Sequence, residues 1–177
     1  DTNIFRNSNS WDVVLTTYGI LISEWKSYYS SLSMKNSSTS SKCMPKSIFS
    51  YQFKRVLLDE AHCIRNAGTD AFKACCDLQT ECRWVITGTP IQNKIDDLFS
   101  LIKFLQHEPW DQWRWWYKTI VQPLSQNEPN GFRVLQTLLR SIMIRRTKQT
   151  IDPSTGHQIL DLPPKILEIV YVDLNPS

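Results

Sequence analysis

Three short runs of large apolar residues recur along the chain, and each ends abruptly in polar side chains. In chain order they are Val13-Val14-Leu15, Val56-Leu57-Leu58 and Trp84-Val85-Ile86. Runs this short, bounded by charges or hydroxyls, predict strands of a parallel sheet, and the central run has the pattern of a strand buried on both faces. The sequence therefore predicts an α/β fold.

Two adjacent carboxylates, Asp59 and Glu60, directly follow the central run. Ligands of parallel sheets bind in the crevice beyond the carboxyl ends of the strands, where these side chains would emerge. Two acids there can divide the work on a nucleoside triphosphate. One holds Mg²⁺, which prefers oxygen ligands, and the other orients or deprotonates the attacking water. Taken alone, the dipeptide is more typical of a solvated strand end.

A second polar segment, Thr87-Gly88-Thr89-Pro90-Ile91-Gln92-Asn93, follows the third run. Thr87 comes 28 positions after Asp59, which leaves room for one crossover helix and hence for one βαβ unit. Asp-Glu-Ala-His followed at this distance by Thr-Gly-Thr-Pro-Ile-Gln-Asn resembles the Swi/Snf-type ATPases of helicase superfamily two, motors that translocate on duplex DNA. The first motif alone would also allow an RNA helicase of this superfamily. Those helicases usually carry a Ser-Ala-Thr type sequence in place of the second motif.

The resemblance extends to the branch that includes helicase-like transcription factor and the yeast post-replication-repair translocases. The matching stretches are Arg55 to Asn66, Trp115-Trp116 and Ile144-Arg145-Arg146-Thr147-Lys148. It implies the C-terminal part of a RecA-like first motor lobe, with a partial parallel sheet flanked by helices and a helical protrusion. It also implies ATP and Mg²⁺ as cofactors, double-stranded DNA and chromatin or repair proteins as partners, and a nuclear location.

The same resemblance implies roles for residues around the ATP cleft. Asp59 would hold Mg²⁺ through water, and Glu60 would activate the water that attacks ATP. His62 would relay the nucleotide state to the second segment, which couples the ATP cleft to the DNA groove. The remaining residues assigned to the nucleotide site are Thr87, Gly88, Thr89 and Gln92.

Two further places on the chain are assigned to DNA by the resemblance. Thr16 and Thr17 would lie against the sugar-phosphate backbone, a contact that positions a duplex without reading its sequence. The alternative for them is an ordinary helix cap. Arg145 and Arg146 would contact either the second lobe or DNA, or else only complement the dipole at a helix end.

Composition narrows the class of protein. The chain has 177 residues, 41% of them hydrophobic, and a net charge of +3, which is too mild to indicate nucleic-acid binding by itself. No apolar run has the length of a membrane span, and no signal peptide is evident. Five cysteines without a Cys-x-x-Cys pair indicate reduced thiols in a cytosolic or nuclear protein and disfavour a zinc site.

The remaining sequence predicts domain organisation as follows. Residues 1–108 form the lobe-1 part, within which a helix follows Thr17 and a Ser- and Lys-rich stretch, 26–47, forms a mobile surface insertion. Thr69 is predicted to cap the crossover helix. Residues 109–150 form the helical protrusion, whose aromatic residues have helical spacing and are predicted to pack rather than stack on bases. Residues 151–177 form a linker and the first strand of a second lobe.

One absence limits the expected activity of this chain. No Gly-x-x-x-x-Gly-Lys-Ser/Thr loop, which would cradle phosphates, occurs in it, and it opens on Asp1 rather than Met. We therefore expect a piece of a longer enzyme that alone neither binds ATP tightly nor hydrolyses it. The alternative is a non-catalytic module that keeps the fold and binds DNA or protein.

Overall fold

The computed structural model of the protein describes residues 12–35, 47–91, 94–147, 149–160, 163 and 165–171. The chain divides into two compact units, residues 1–135 and 136–177. The helices and strands are α1 (Tyr18–Lys35), β1 (Gln52–Leu58), α2 (Asp70–Cys76), β2 (Gln79–Val85), α3 (Ile95–Leu105), α4 (Trp113–Trp116), a π-helical segment (Tyr117–Val121), α5 (Gln122–Ser125) and α6 (Pro129–Ile142). Two short 3₁₀ helices span Ile48–Ser50 and Ala61–Ile64. None of the helices in these described ranges is long and apolar enough to cross a membrane.

The two strands pair in parallel, with Leu58 opposite Val85. Helix α2 makes the crossover between them and begins where the sequence predicts, because the Thr69 hydroxyl accepts a hydrogen bond from the Phe72 amide at 3.3 Å. The predicted parallel sheet with flanking helices is therefore confirmed.

Only one face of the sheet is covered. Val56 and Leu58 pack into the core, whereas Leu57 between them is 58% exposed and its partner across the strands, Trp84, is 52% exposed. The prediction that the central strand is buried on both faces is wrong. Alternate residues of a strand point to opposite faces, so Leu57 lies on the other face from Val56 and Leu58 and stays exposed there.

The first apolar run does not form the predicted strand. Residues 13–17 have no regular secondary structure, and Val13 and Leu15 are 76% and 93% exposed. A strand is stabilised by hydrogen bonds to a neighbouring strand, and within the described residues β1 and β2 pair only with each other.

Helix α1 continues further than the sequence indicates. It includes residues 27–35, which corrects the N-terminal end of the predicted insertion; residues 36–46 lie outside the described residues. Serine hydroxyls bond back to carbonyls four residues earlier, as Ser30 does to Lys26 at 2.7 Å. Trp25 links α1 to the end of α2, because its Nε1 donates to the Asp77 carboxylate at 2.6 Å.

The aromatic segment contacts α3, but the predicted packing is only partial, since Trp113 and Tyr117 are still 48% and 47% exposed. Trp116 and Ile120 are fully buried, and the Phe99 ring lies 5.0 Å from Trp113 and 5.7 Å from Trp116 between centroids.

Gly131 of α6 completes this region, because a Cβ at its position would lie 2.9 Å from the Pro123 Cβ.

In the second unit, Arg145 and Arg146 are exposed. A turn follows in which the Asp152 carboxylate accepts hydrogen bonds from the Ser154 hydroxyl at 2.7 Å and amide at 2.9 Å. These bonds lower the pKa of Asp152. The predicted final strand is not seen in its described part, since residues 168–171 have no regular secondary structure.

Candidate active site

The parallel register brings the two polar segments side by side. The amide of Ile86 donates to the carbonyl of Leu58 at 2.8 Å, and the amide of Ala61 donates back to the carbonyl of Ile86 at 3.0 Å. The backbone after β1 is therefore bonded to the backbone that leads into Thr87. The structure thus joins Asp59-Glu60 and Thr87-Gly88-Thr89 at one end of the sheet.

The peptide between the two carboxylates sits in a sharp turn. Glu60 adopts a left-handed conformation, with φ 48° and ψ 46°, which is uncommon for a residue other than glycine. The Asp59 carboxylate accepts a hydrogen bond from the Glu60 amide at 2.9 Å. The Tyr18 hydroxyl donates to the Asp59 carbonyl at 2.8 Å. The backbones of Asp59, Glu60 and Ala61 are therefore all held by hydrogen bonds.

His62 lies beside the second carboxylate. Its Nδ1 is 3.1 Å from Oε2 of Glu60, and the two side chains are 36% and 67% exposed. An imidazole that carries its proton on Nδ1 donates to this carboxylate. The ring can therefore orient Glu60, while the carboxylate stays accessible to water. The predicted pairing of His62 with the second polar segment has no counterpart among these contacts and stays a prediction.

The second segment forms a local turn. The Thr87 hydroxyl accepts a hydrogen bond from the Thr89 amide at 3.2 Å. A Cβ placed on Gly88 would meet no atom within 4 Å, so this backbone borders open space that a ligand can approach. Gln92, the last residue assigned to the nucleotide, lies outside the described residues.

Of the two threonines assigned to DNA, Thr17 has a structural task. Its hydroxyl accepts from the Ile20 amide at 3.3 Å, and its carbonyl accepts from the Leu21 amide at 3.0 Å. The cap that sequence reasoning offered as an alternative is therefore present at Thr17. Thr16 is exposed next to it, and its contact with DNA stays a prediction.

Sequence reasoning missed Tyr18 as a member of the site. Burial, followed by the charges of the nearby thiols and carboxylates, raises the pKa of the Tyr18 hydroxyl, so the hydroxyl keeps the proton it donates. Its partner lies 41 positions away, and no spacing rule links the two. The only signal was its position directly after Thr16-Thr17.

The donor set of the site fits Mg²⁺ only in combination with phosphates. Mg²⁺ keeps several waters and takes one or two carboxylates together with substrate phosphates. Asp59 supplies such a carboxylate, and the Glu60 amide that bonds to its Oδ1 fixes its direction. Within the described part of the chain no three His, Cys, Asp or Glu side chains cluster as a metal cage would require.

Comparisons with known proteins agree with this geometry. A family model described as SNF2-related domain matches residues 2–177. DNA repair protein RAD5B of Arabidopsis thaliana is 43% identical over 91% of the chain, and DNA repair protein RAD5 of Saccharomyces cerevisiae is 42% identical over 93% of it. The match covers 11% and 14% of those two proteins, so the chain spans about an eighth of their length.

A solved structure is similar as well. The Sulfolobus solfataricus SWI2/SNF2 ATPase core in complex with dsDNA matches with a TM-score of 0.58 and 26% identity, over 79% of this chain and 25% of that one. The resemblance drawn from the two motifs is therefore confirmed, and so is the RecA-like class of the fold.

Proposed function

This chain belongs to the SNF2-related domain family, and on that premise we propose that it forms the C-terminal part of the first motor lobe of a RAD5-type, DNA-dependent ATPase. In this proposal the complete enzyme translocates on duplex DNA in repair or chromatin remodelling in the nucleus. Residues 1–108 belong to the lobe, 109–150 to its protrusion and 151–177 to the connection with a second lobe.

The observation that carries the proposal is the backbone link between the two polar segments. Hydrogen bonds of 2.8 Å and 3.0 Å through Ile86 hold the turn that bears Asp59 and Glu60 against the strand end that bears Thr87. An ATPase motor needs its hydrolytic carboxylates and its coupling segment to move as one piece. A module that only binds DNA has no physical need for both.

The proposed division of work assigns one task to each side chain of the turn. ATP with Mg²⁺ supplies the phosphoanhydride and the positive charge that the reaction requires. Asp59 presents its carboxylate to the Mg²⁺ site, and its orientation is fixed by the Glu60 amide. Glu60 accepts the proton of the attacking water, and His62, 3.1 Å away, restricts the rotation of its carboxylate.

The remaining assigned residues link the cleft to DNA. The segment on the nucleotide side of the cleft shifts with the state of the bound nucleotide. Its assigned residues are Thr87, Gly88, Thr89 and Gln92. Thr16 contacts the phosphate backbone through its exposed hydroxyl, with Thr17 holding the helix that begins beside it. Arg145 and Arg146 contact DNA or the second lobe.

The test is ATP hydrolysis by the full-length protein, measured without nucleic acid, with duplex DNA and with single-stranded RNA. The proposal predicts stimulation by duplex DNA, and none by single-stranded RNA. Stimulation by RNA alone would indicate an RNA helicase, and no hydrolysis under any condition would indicate a non-catalytic module. The isolated 177-residue chain is expected to be inactive, because it contains no phosphate-cradling loop.

Two matched variants test the DNA contact. Thr16→Val removes an exposed hydroxyl at nearly constant shape, and it is expected to weaken duplex binding by about threefold to tenfold, the effect of one hydrogen bond. Thr17→Ser keeps both the hydroxyl and the cap and is expected to bind normally. Equal affinities of the wild type and Thr16→Val would exclude Thr16 from the contact.

A further inference from the structure

One peptide unit in the site is held at both of its ends. The carbonyl of Asp59 accepts a hydrogen bond from the Tyr18 hydroxyl at 2.8 Å. The amide of Glu60, which belongs to the same peptide unit, donates to the Asp59 carboxylate at 2.9 Å. The plane of this peptide determines the directions in which the two flanking carboxylates leave the backbone.

This peptide needs to be held from outside the turn. Glu60 has φ 48°, a conformation that a residue with a Cβ adopts only when its surroundings stabilise it. The bond from Asp59 is local, since it links neighbouring residues. The bond from Tyr18 comes from another element, 41 positions earlier in the chain, and it connects the turn to α1.

Tyr18 is also the first residue of α1 and directly follows the threonines. The start of α1 is fixed by the Thr17 cap, and the middle of the helix is anchored by the bond from Trp25 to Asp77. Thr16 is therefore two positions from the residue whose hydroxyl holds the Asp59 carbonyl, and the helix start between them is capped.

We propose that Tyr18 is a positioning residue that fixes the Asp59–Glu60 peptide and couples the Thr16–Thr17 segment to it. The proposal rests on the function proposed above, in which Thr16 contacts duplex DNA and Glu60 activates water. In this arrangement duplex binding at Thr16 stimulates hydrolysis because the Tyr18 hydroxyl connects that segment to the backbone that carries the carboxylates. The half-buried phenol ring serves packing, and the hydroxyl serves coupling.

The variant that separates the two parts of Tyr18 is Tyr18→Phe, which removes the hydroxyl and keeps the ring. The matched control is Tyr117→Phe, whose ring lies 6.0 Å from that of Trp113, a contact that phenylalanine retains. Both variants are made in the full-length protein. ATP hydrolysis is measured with and without duplex DNA, together with the affinities for ATP and for the duplex.

The decisive quantity is the ratio of DNA-stimulated to basal hydrolysis. A partly unfolded preparation lowers both rates together and leaves their ratio unchanged. For Tyr18→Phe the ratio is expected to fall by about threefold to tenfold, the value of one hydrogen bond, while both affinities change by less than about twofold. Tyr117→Phe is expected to keep the wild-type ratio. A wild-type ratio in Tyr18→Phe would overturn the coupling.

A second measurement is independent of activity. Amide hydrogen exchange in the peptide that spans residues 57–62 is expected to be faster in Tyr18→Phe by about tenfold and unchanged in Tyr117→Phe. Unchanged exchange in Tyr18→Phe would overturn the positioning role. If the wild type shows no DNA-stimulated hydrolysis, the proposed function fails, and the exchange result alone decides whether Tyr18 holds this peptide.

Discussion

The amide of Ala61 donates a hydrogen bond to the carbonyl of Ile86 at 3.0 Å. Ala61 follows the two carboxylates and Ile86 precedes Thr87, so this one bond joins the turn that bears the carboxylates to the segment that borders it. Backbone bonds of this kind do not depend on the side chains at either position. The arrangement is therefore a property of the strand register, in which Leu58 lies opposite Val85.

Gly131 is predicted to be required for the packing of α6 against α5. An added Cβ would lie 2.9 Å from the Pro123 Cβ and 3.0 Å from the Leu124 backbone nitrogen, and backbone cannot move aside cheaply. Gly131→Ala is expected to lower the free energy of unfolding by about 1–3 kcal/mol. Denaturant unfolding of the purified protein measures this.

The matched control is a second glycine with room around it. A Cβ on Gly19 would meet only the Thr17 hydroxyl, at 4.0 Å, and Gly19 lies within α1. Gly19→Ala is expected to be neutral or to stabilise by up to about 1 kcal/mol, because alanine loses less backbone entropy in a helix. Equal losses for both variants would show that contact at Gly131 is not the cause.

Trp25 is predicted to stabilise the protein through its indole nitrogen. Nε1 donates to the Asp77 carboxylate at 2.6 Å, a bond to a charged group between α1 and the end of α2. Trp25→Phe is expected to cost about 1.5–3 kcal/mol of stability. Trp84→Phe, at a position 52% exposed, is expected to change stability by less than about 0.5 kcal/mol. Thermal unfolding of both variants compares them, and equal midpoints would contradict the assigned bond.

The thiols are predicted to differ widely in reactivity. Burial raises the pKa of Cys75 to about 12 and, in the same way, that of Cys76 to about 11, whereas Cys63 and Cys82 are exposed. The thiolate is the reactive form, and a raised pKa means that this form is scarce near pH 8. Alkylation followed by peptide mass mapping is expected to label Cys63 and Cys82 first and Cys75 last.

The control for thiol labelling is the unfolded protein, in which burial is lost and all of these thiols should react alike. Rapid labelling of Cys75 in the folded protein would contradict the buried position of α2 against the core.

The juxtaposition of the two motifs could be predicted from sequence, because parallel strands fix it. A spacing of 28 residues between Asp59 and Thr87 allows one crossover helix, and a parallel pair must then place both strand ends at the same edge. The helix cap at Thr69 could be predicted equally well, since a helix cap depends only on neighbours three residues apart.

Other features depend on long-range contacts and left no local pattern. Val13 to Leu15 have the composition of a strand, yet a strand needs a partner, which composition cannot supply. The left-handed backbone of Glu60 occurs at a residue type that seldom adopts it. The bond from Tyr18 spans 41 positions and uses a side chain, so no periodicity could reveal it.

The proposed role of Glu60 is to activate water in a working ATPase. Glu60→Gln keeps the size of the side chain and its ability to accept a hydrogen bond from His62 but removes the base. In the full-length protein this variant is expected to bind ATP normally and to lose DNA-stimulated hydrolysis by about a hundredfold or more.

The most direct measurement is therefore the steady-state rate of ATP hydrolysis with duplex DNA for the wild type, Glu60→Gln and the control Glu128→Gln, an exposed glutamate just before α6. A DNA-stimulated rate is expected in the wild type and the control, and almost none in Glu60→Gln. A Glu60→Gln variant that hydrolyses ATP at the wild-type rate would contradict the proposed role of Glu60.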